Sequence, residues 1–260
     1  MTVSPMLLSQ VTNASWRQQV RLVATDIDGT LTRQGRLDSR VLKGFETLTQ
    51  ANIAVLLVTG RSAGWVNGLT TYLPVSGAIA ENGGMFYRGG QEASGRILGD
   101  IPDFASHRQQ LRQIFEALQQ IFPQIVPSVD NAFRLTDWTF ENTGFTVDEL
   151  QQMKEMCDRC GWGFTYSSIQ CHIKPMLQAK GRALKQVLAN DYGGYEPERV
   201  VTVGDSPNDE SLFDPTAFPH SVGVANLFPY LNAIAHLPAY GTSGEEADGF
   251  CEFVEWLLGA

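Results

Sequence analysis

The chain is short of charge. Only 18% of its 260 residues are Asp, Glu, Lys or Arg, against roughly 25% in an average globular protein. Disordered chains combine high net charge with few apolar residues; here 43% of residues are hydrophobic, so a folded core is expected. Cations are the scarcer sign, with 19 Lys and Arg against 28 Asp and Glu and a net charge of −9. No basic face for nucleic acid or an anionic membrane is expected. Any anionic substrate has to be met by a few placed Lys and Arg. No window approaches the roughly 18 consecutive apolar residues of a membrane span. Residues 1–19 lack the charged start and apolar run of a signal peptide and read as a loosely ordered extension.

Cysteine is also scarce, at four. Cys157 and Cys160 have C-x-x-C spacing, but a zinc site needs a second ligand pair, and Cys171-His172 does not repeat the spacing. The pair falls late in a helical pattern, so ordinary reduced thiols and a cytoplasmic setting fit.

What is present is a series of short apolar runs that end in polar residues. Val20–Thr25 ends in Asp26, Ile53–Val58 in Thr59-Gly60-Arg61, and Gly77–Ala80 in Glu81-Asn82. Val200–Val203 ends in Gly204-Asp205 and Val222–Ala225 in Asn226. Continuous rather than alternating apolar residues indicate strands buried on both faces, as in a parallel sheet. Helical spacing lies between them, in 39–51 and 180–190, so the fold class is α/β with an open, Rossmann-like parallel core. In such sheets ligands bind beyond the carboxyl ends of the strands, which is where the polar residues collect.

The middle of the chain follows another pattern. A long amphipathic helix is expected over 104–122, with strands near 133–136 and 143–147. A second helix follows over 148–160, with Asp148 as N-cap and Gly161 past its end. Strands at 164–167 and 171–174 come last. This helix-strand-strand doubling predicts an α+β domain inserted in the core. The resulting division is an extension at 1–19, a core at 20–87 and 175–260, and a cap at 88–174.

Asp26-Ile27-Asp28-Gly29-Thr30 sits at a strand end. Alternate residues of an extended stretch point the same way, so both carboxylates can face one pocket, and their repulsion makes a divalent cation a natural partner. Magnesium takes a few carboxylates plus waters and phosphate oxygens. An EF-hand is excluded, since Thr30 and Leu37 stand where its fifth and twelfth loop positions need acids. Alone, the segment would also fit a plain strand-to-turn capped by Asp and Gly. Thr59 adds a hydroxyl for a phosphate oxygen. Asp205, Asn208 and Asp209 add two carboxylates and an amide, and Lys180 stands at a helix start. A lysine there opposes the helix dipole, so a partner is expected for it.

D-x-D-G-T, T-G-R, a lysine and G-D-S-x-N-D, in this order at strand ends, resemble the haloacid dehalogenase superfamily over nearly all of 20–258. The insert resembles the C2B cap of its Cof-type branch. ENGG at 81–84, NTGF at 142–145, CHIKPMLQAKG at 171–181 and YGTSGEEADG at 240–249 resemble archaeal phosphoglycolate phosphatases and sucrose-phosphate-phosphatase-like proteins. Gln178 and Ala179 depart from the polar residues common before the lysine, and the N-terminal extension is longer than usual.

The resemblance implies a Mg2+-dependent phosphatase acting on a small phosphorylated metabolite, as a monomer or homodimer. It gives Asp26 as nucleophile and Asp28 as acid/base. Thr59 and Lys180 bind the phosphoryl group. Asp26, the Asp28 carbonyl and Asp205 hold the metal, with Asn208 and Asp209 directly or through water. Gly60, Arg61, Glu81, Asn82 and Asn208 join the substrate site. Lys174 is a rival for the lysine role. Arg134 is placed on a cap strand, opposite Phe133 and Leu135, as a clamp for a substrate carboxylate. A hexose phosphomutase, a receiver domain and a non-catalytic phosphate-binding protein are the competing readings; the chain length and element order weigh against the receiver and the intact motifs against the non-catalytic protein, while Asp28 suits a phosphatase or a phosphomutase.

Overall fold

A computed structural model describes residues 5–90, 95–193 and 196–259. Its centre is a nine-stranded sheet. From one edge the strands are Met6–Leu7, Tyr240–Gly241, His220–Gly223, Val200–Gly204, Leu22–Thr25, Ala54–Val58, Gly77–Ala80, Met85–Arg88 and Arg96–Ile97. Pairing is parallel from Met6–Leu7 through Gly77–Ala80 and antiparallel beyond. Leu22–Thr25 is central. From it the chain first builds toward Ala54–Val58 and later returns on the other side with Val200–Gly204. The strand order therefore reverses between Leu22–Thr25 and Val200–Gly204, which opens a crevice at their carboxyl ends.

Alternate residues of each strand feed two cores. Val23, Val55, Leu57, Ala78, Val201 and Val203 pack with the helices Ser39–Gln50, Ala63–Tyr72 and Glu246–Leu258. Leu22, Ala24, Leu56, Val58, Ile79 and Val200 pack with Ala183, Leu184, Val187 and Leu188 of the helix Lys180–Asp191. Burial on both faces is why these strands carry no polar alternation. Ser39–Gln50 starts where the Asp38 carboxylate accepts from Arg40 N and buries Val41, Phe45 and Leu48, one stripe of the helix.

The N-terminal stretch is not loose over its described residues; residues 1–4 lie outside them. Met6–Leu7 adds an edge strand to Tyr240–Gly241. Leu8 is 1% exposed, and Trp16 stacks on His220 with ring centroids 3.8 Å apart. The apolar Leu7-Leu8 pair and Trp16 supply enough buried surface to dock this segment.

The inserted part is a second layer with its own core. A three-stranded antiparallel sheet runs in the order Trp162–Tyr166, Gln170–Pro175, Trp138–Glu141. The helices Phe104–Ile121 and Val147–Arg159 cover one face, burying Leu111, Phe115 and Leu118 from the first and Leu150, Met153 and Cys157 from the second. Two expectations are corrected here. The N-cap of the second helix is Thr146, in a capping box with Glu149, because a hydroxyl three residues before a glutamate satisfies two orphan amides at once; Asp148 lies in its first turn. Around 133–147 there is one strand, Trp138–Glu141, preceded by a 3-10 helix over Val129–Phe133. Arg134 is thus not on a strand. The front boundary also moves: Arg96–Ile97 still pairs with Met85–Arg88 in the large sheet, so the second layer begins after it. Cys157 and Cys171 are buried, free thiols within this core. No helix among the described residues is long and apolar enough to cross a membrane.

Buried polar groups fasten the second layer to the first. Glu81, expected in the substrate site, instead points into the junction. Its carboxylate accepts from Ala63 N (2.8 Å) of the core and from Leu135 N, Thr136 N and Thr136 Oγ1 (3.0, 2.6 and 2.7 Å) of the insert. The physical reason is its left-handed backbone, φ +53°, which turns the side chain away from the strand direction. Gln178 Nε2 donates to Glu81 O and to Thr136 Oγ1 at 2.5 and 3.1 Å. Glu81→Gln puts an amide donor against groups that are themselves donors. The expected outcome is a loss of about 1–3 kcal/mol of stability, the cost of buried polar groups left unpaired, measured by urea unfolding. An unchanged midpoint would contradict the junction role.

Candidate active site

The crevice at the sheet's reversal point gathers residues from four strand ends. Asp26 follows Leu22–Thr25, and its amide donates to Val203 O (3.0 Å), which extends the ladder by one residue and fixes the carboxylate at the sheet's edge. Asp205 follows Val200–Gly204 on the neighbouring strand. Asp209 lies in the 3-10 helix Pro207–Leu212, folded back so that its Oδ2 accepts from the amides of Asp205 and Ser206 at 3.0 and 3.2 Å. The three carboxylates each offer an oxygen within 4.8 Å of the others, and all are buried. The turn of Gly29 allows this closeness: its φ is +80°, and a Cβ there would stand 2.3 Å from Asp205 Oδ2.

Lys180 is the cation of this cluster. It begins the helix Lys180–Asp191 and is fully buried, with Nζ 2.8 Å from Asp26 Oδ1 and 2.7 Å from Asp209 Oδ1. Lys174 is not its equivalent: its Nζ donates to Gln178 O. Burial raises the pKa of Asp26 to about 7; Lys180 opposes the rise and Asp209 adds to it. Burial likewise raises Asp205 well above the carboxylate range, with Asp26 and Asp209 adding to it. Burial works against the Lys180 cation too, but Asp209 and Asp26 outweigh it and hold its pKa above the ordinary value. These directions agree: one ammonium shared by two of three buried carboxylates is strongly held, while the carboxylates remain short of positive charge. The site fits a divalent ion on that ground, since hard oxygen donors in excess of positive charge are what Mg2+ binds. Asp205 is oriented by Thr30 Oγ1 (3.1 Å) and Asn226 Nδ2 (3.0 Å). Neither was singled out as a site residue. The strand-end position of Asn226 was the available signal.

Asp28 stands apart from the acidic cluster. Its two oxygens accept from Arg61 Nε and a terminal nitrogen at 2.7 and 2.6 Å, a bidentate pair. Arg61 in turn lies over the Trp65 ring, 5.2 Å from its centroid. In this arrangement Arg61 is spent on Asp28 rather than open to a substrate. Thr59 is buried, and its Oγ1 accepts from Arg61 N at 3.1 Å. Asn208 and Asn82 are engaged with each other, Nδ2 to Oδ1 at 3.1 Å; Asn208 is outside the carboxylate cluster. Asp26, Asp28, Thr59, Gly60, Arg61 and Asn208 line one cavity of about 20 Å³ together with His172 and Gln170 of the insert.

Arg134 is corrected most. It is 2% exposed, and its terminal nitrogens donate to Asp137 (3.0 Å), Asp130 (2.8 Å), Gln170 (3.0 Å) and Gly60 O (2.9 Å). Both terminal nitrogens are engaged, and the Nε that lacks a partner is itself buried, so the guanidinium is not presented to a substrate carboxylate. Arg134 does face opposite Phe133 and Leu135, which are 63% and 37% exposed, but it caps the 3-10 helix Val129–Phe133 with extended backbone instead of lying on a strand, and the side it faces is the junction.

The comparisons agree with this architecture. The model of the sucrose-6F-phosphate phosphohydrolase family matches residues 19–257. A phosphoglycolate phosphatase of Methanothrix thermoacetophila is 28% identical over 245 residues, 93% of this chain and 98% of its own length. The solved sucrose-phosphatase of Synechocystis sp. PCC6803, in complex with sucrose and phosphate, matches with a TM-score of 0.66 and 18% identity over 92% of this chain and 98% of that one. A haloacid dehalogenase-like hydrolase from Bacteroides thetaiotaomicron matches with a TM-score of 0.65 and 17% identity over 91% and 98%. At such identities the structural likeness speaks for the fold alone, and the family match carries the assignment. The chain belongs to the sucrose-6F-phosphate phosphohydrolase family and is a haloacid dehalogenase-type phosphatase of the Cof-type branch.

Proposed function

We propose that the protein is a Mg2+-dependent phosphomonoester hydrolase that works through an aspartyl-phosphate on Asp26. The supporting observation is the cluster of Asp26, Asp205 and Asp209 around Lys180, with Asp28 at the same cavity. Asp26 and Asp205 would hold the ion. Asp209, its oxygens already accepting from Lys180 and two amides, would reach it through water. When bound, the ion supplies positive charge against the phosphoryl oxygens and against Asp26.

The chain's own groups do the rest. Asp26 must be ionised to attack phosphorus, and the ammonium of Lys180 2.8 Å away favours that form. Lys180 and the Thr59 hydroxyl offer donors to the transferring group, whose chemistry is mostly positioning and charge stabilisation. Asp28 would protonate the leaving alcohol and then take a proton from the attacking water. Its pairing with Arg61 must loosen first, because a carboxylate chelated by a guanidinium holds no proton to give. A substrate phosphate, which Arg61 can also grip, is the natural competitor. A cavity of about 20 Å³ has room for on the order of one water, so the insert has to withdraw before a substrate enters. The relatives' names point to phosphoglycolate and to sugar phosphates as substrates, and both are small phosphorylated metabolites.

Asp26→Asn is expected to abolish phosphate release, because an amide does not attack phosphorus; retention of more than about 1% of kcat, set against the roughly 10⁶-fold or larger accelerations typical of enzymes, would remove the nucleophile. Asp28→Asn should lower kcat/KM for an alkyl phosphate about 10²–10⁴-fold and far less for p-nitrophenyl phosphate, whose leaving group needs no proton. Equal losses on the two esters would end the acid role. Magnesium binding should strengthen with pH, because a proton on Asp26, with its pKa of about 7, competes with the ion. The folded value lies above that of an unfolded aspartate, about 4. Without metal, the contribution of Asp26 to stability is therefore greatest at the acid end of that window and declines as pH rises from about 4 to 7. A titration followed by calorimetry should show affinity rising roughly tenfold between pH 6 and 8, as the ionised fraction of such a group does. A flat profile would contradict it.

A further inference from the structure

The strand Gln170–Pro175 has two faces. Cys171 and Ile173 enter the insert's apolar core, while Gln170 and His172 line the cavity that holds Asp26 and Asp28. His172 is 2% exposed. Its Nδ1 lies 2.9 Å from Asp137 Oδ2. A carboxylate can only accept, so Nδ1 carries the proton, and the neutral ring presents a lone pair at Nε2. The rest of the chain fixes this arrangement. Asp137 is fully buried and held by Arg134 at 3.0 Å through both oxygens, and Arg134 is tied to Gly60 O of the core.

Nε2 itself has no hydrogen-bond partner among the described residues. It stands 3.2 Å from the point a Gly60 Cβ would occupy, and Asn82 Nδ2 is 3.2 Å from the same point. Asn82 Nδ2 is buried and unpartnered too. The loop between Thr59 and Arg61 is thus flanked by an open acceptor and an open donor. A hydroxyl both donates and accepts. A carboxylate accepts only, and would set its lone pairs against that of Nε2.

Resting on the phosphomonoester-hydrolase reading above, we propose that His172 is a substrate-contacting specificity residue whose Nε2 accepts a hydrogen bond from a hydroxyl on the non-phosphorylated part of the substrate, with Asp137 and Arg134 as its positioning residues. Burial lowers the His172 pKa, against the pull of Asp137, which keeps the ring neutral and Nε2 an acceptor. The insert then favours hydroxylated over carboxylated esters, the reverse of what a free Arg134 would do.

Three esters with the same two-carbon skeleton separate the cases: ethyl phosphate, 2-hydroxyethyl phosphate and phosphoglycolate. For the wild-type protein with Mg2+, kcat/KM for 2-hydroxyethyl phosphate is expected to exceed that for ethyl phosphate about tenfold, the scale of one hydrogen bond, chiefly through KM, and to exceed that for phosphoglycolate. His172→Ala brings the hydroxyethyl-to-ethyl ratio close to one. His172→Gln, whose amide oxygen can still accept, keeps part of it. Asp137→Asn, whose amide can donate to Nδ1 and turn Nε2 into a donor, lowers it as well. Each ratio is taken within one preparation, so partial unfolding of a variant cancels. A wild-type ratio near one, a preference for phosphoglycolate, or a ratio unchanged in His172→Ala would overturn the proposal. An unchanged ratio in Asp137→Asn would remove Asp137 as a positioning residue. Turnover of ethyl and p-nitrophenyl phosphates without any hydroxyl preference defeats His172 alone, whereas no phosphate release from any ester defeats the hydrolase reading and this one with it.

Discussion

Three buried carboxylates share one ammonium, and much of the molecule is arranged to permit it. Lys180 holds Asp26 and Asp209 at 2.8 and 2.7 Å, while Asp205 has only a hydroxyl and an amide for company. Burying like charges together is costly, and a fold selected for stability alone would not keep such a cluster. The cost is contained by backbone. Two amides cap Asp209, Gly29 gives up its side chain to let Asp205 approach, and the strand reversal brings Asp26 and Asp205 to adjacent strand ends. What remains is a deficit of positive charge at one point, which suits a divalent cation.

The core was legible because its rules are local. Gly77–Ala80 was located to the residue, and Leu22–Thr25, Ala54–Val58 and Val200–Gly204 to within two, because a doubly buried strand must be apolar throughout and must stop where the chain meets water or a ligand. The polar residue after each run was thereby placed at the sheet's carboxyl edge before any pairing was known. The fold class follows from that edge, whereas the phosphatase assignment rests on the family resemblance of the motifs found there and on the family match. Asp26, Asp205, Asp209 and Lys180 do converge in space. The same reasoning could not see that Asp28 would turn to Arg61, since both residues sit at the same edge and the spacing is silent about which way a side chain swings.

The insert was read less well, for a specific reason. Its helices announce themselves through period and caps. Its connections do not: Val129–Phe133 has the length and apolar content of a strand but closes into 3-10 turns held by Asn131, whose side chain bonds Ser128 O and Thr139 O at 3.0 and 2.7 Å. Arg134, the extended cap of that helix, keeps the face opposite Phe133 and Leu135 that alternation gives it, but that face meets the junction and not a substrate. The N-terminal stretch failed in the other direction. Without the pattern of a signal peptide or a long apolar run it reads as unattached, yet Leu8 joins the core and Trp16 packs on Tyr240 and Trp256, far along the chain and invisible to any local window.

The charges of the junction show how docking and recognition divide the available side chains. Glu81 is spent on four donors, two of them from the insert's own backbone, and Arg134 on two carboxylates, an amide oxygen and the core carbonyl of Gly60. Both are too deeply buried and too well satisfied to be offered to a ligand without breaking the junction. In a chain with few cations, that leaves Arg61 as the charged donor at the cavity, and it already faces Asp28. The insert's contribution to the cavity is therefore neutral: Ser167, Ile169, Gln170 and His172. In the proposed function the phosphate would be met by the core's Lys180 and Arg61, and the group it is attached to by side chains that match a hydroxyl better than a second anion.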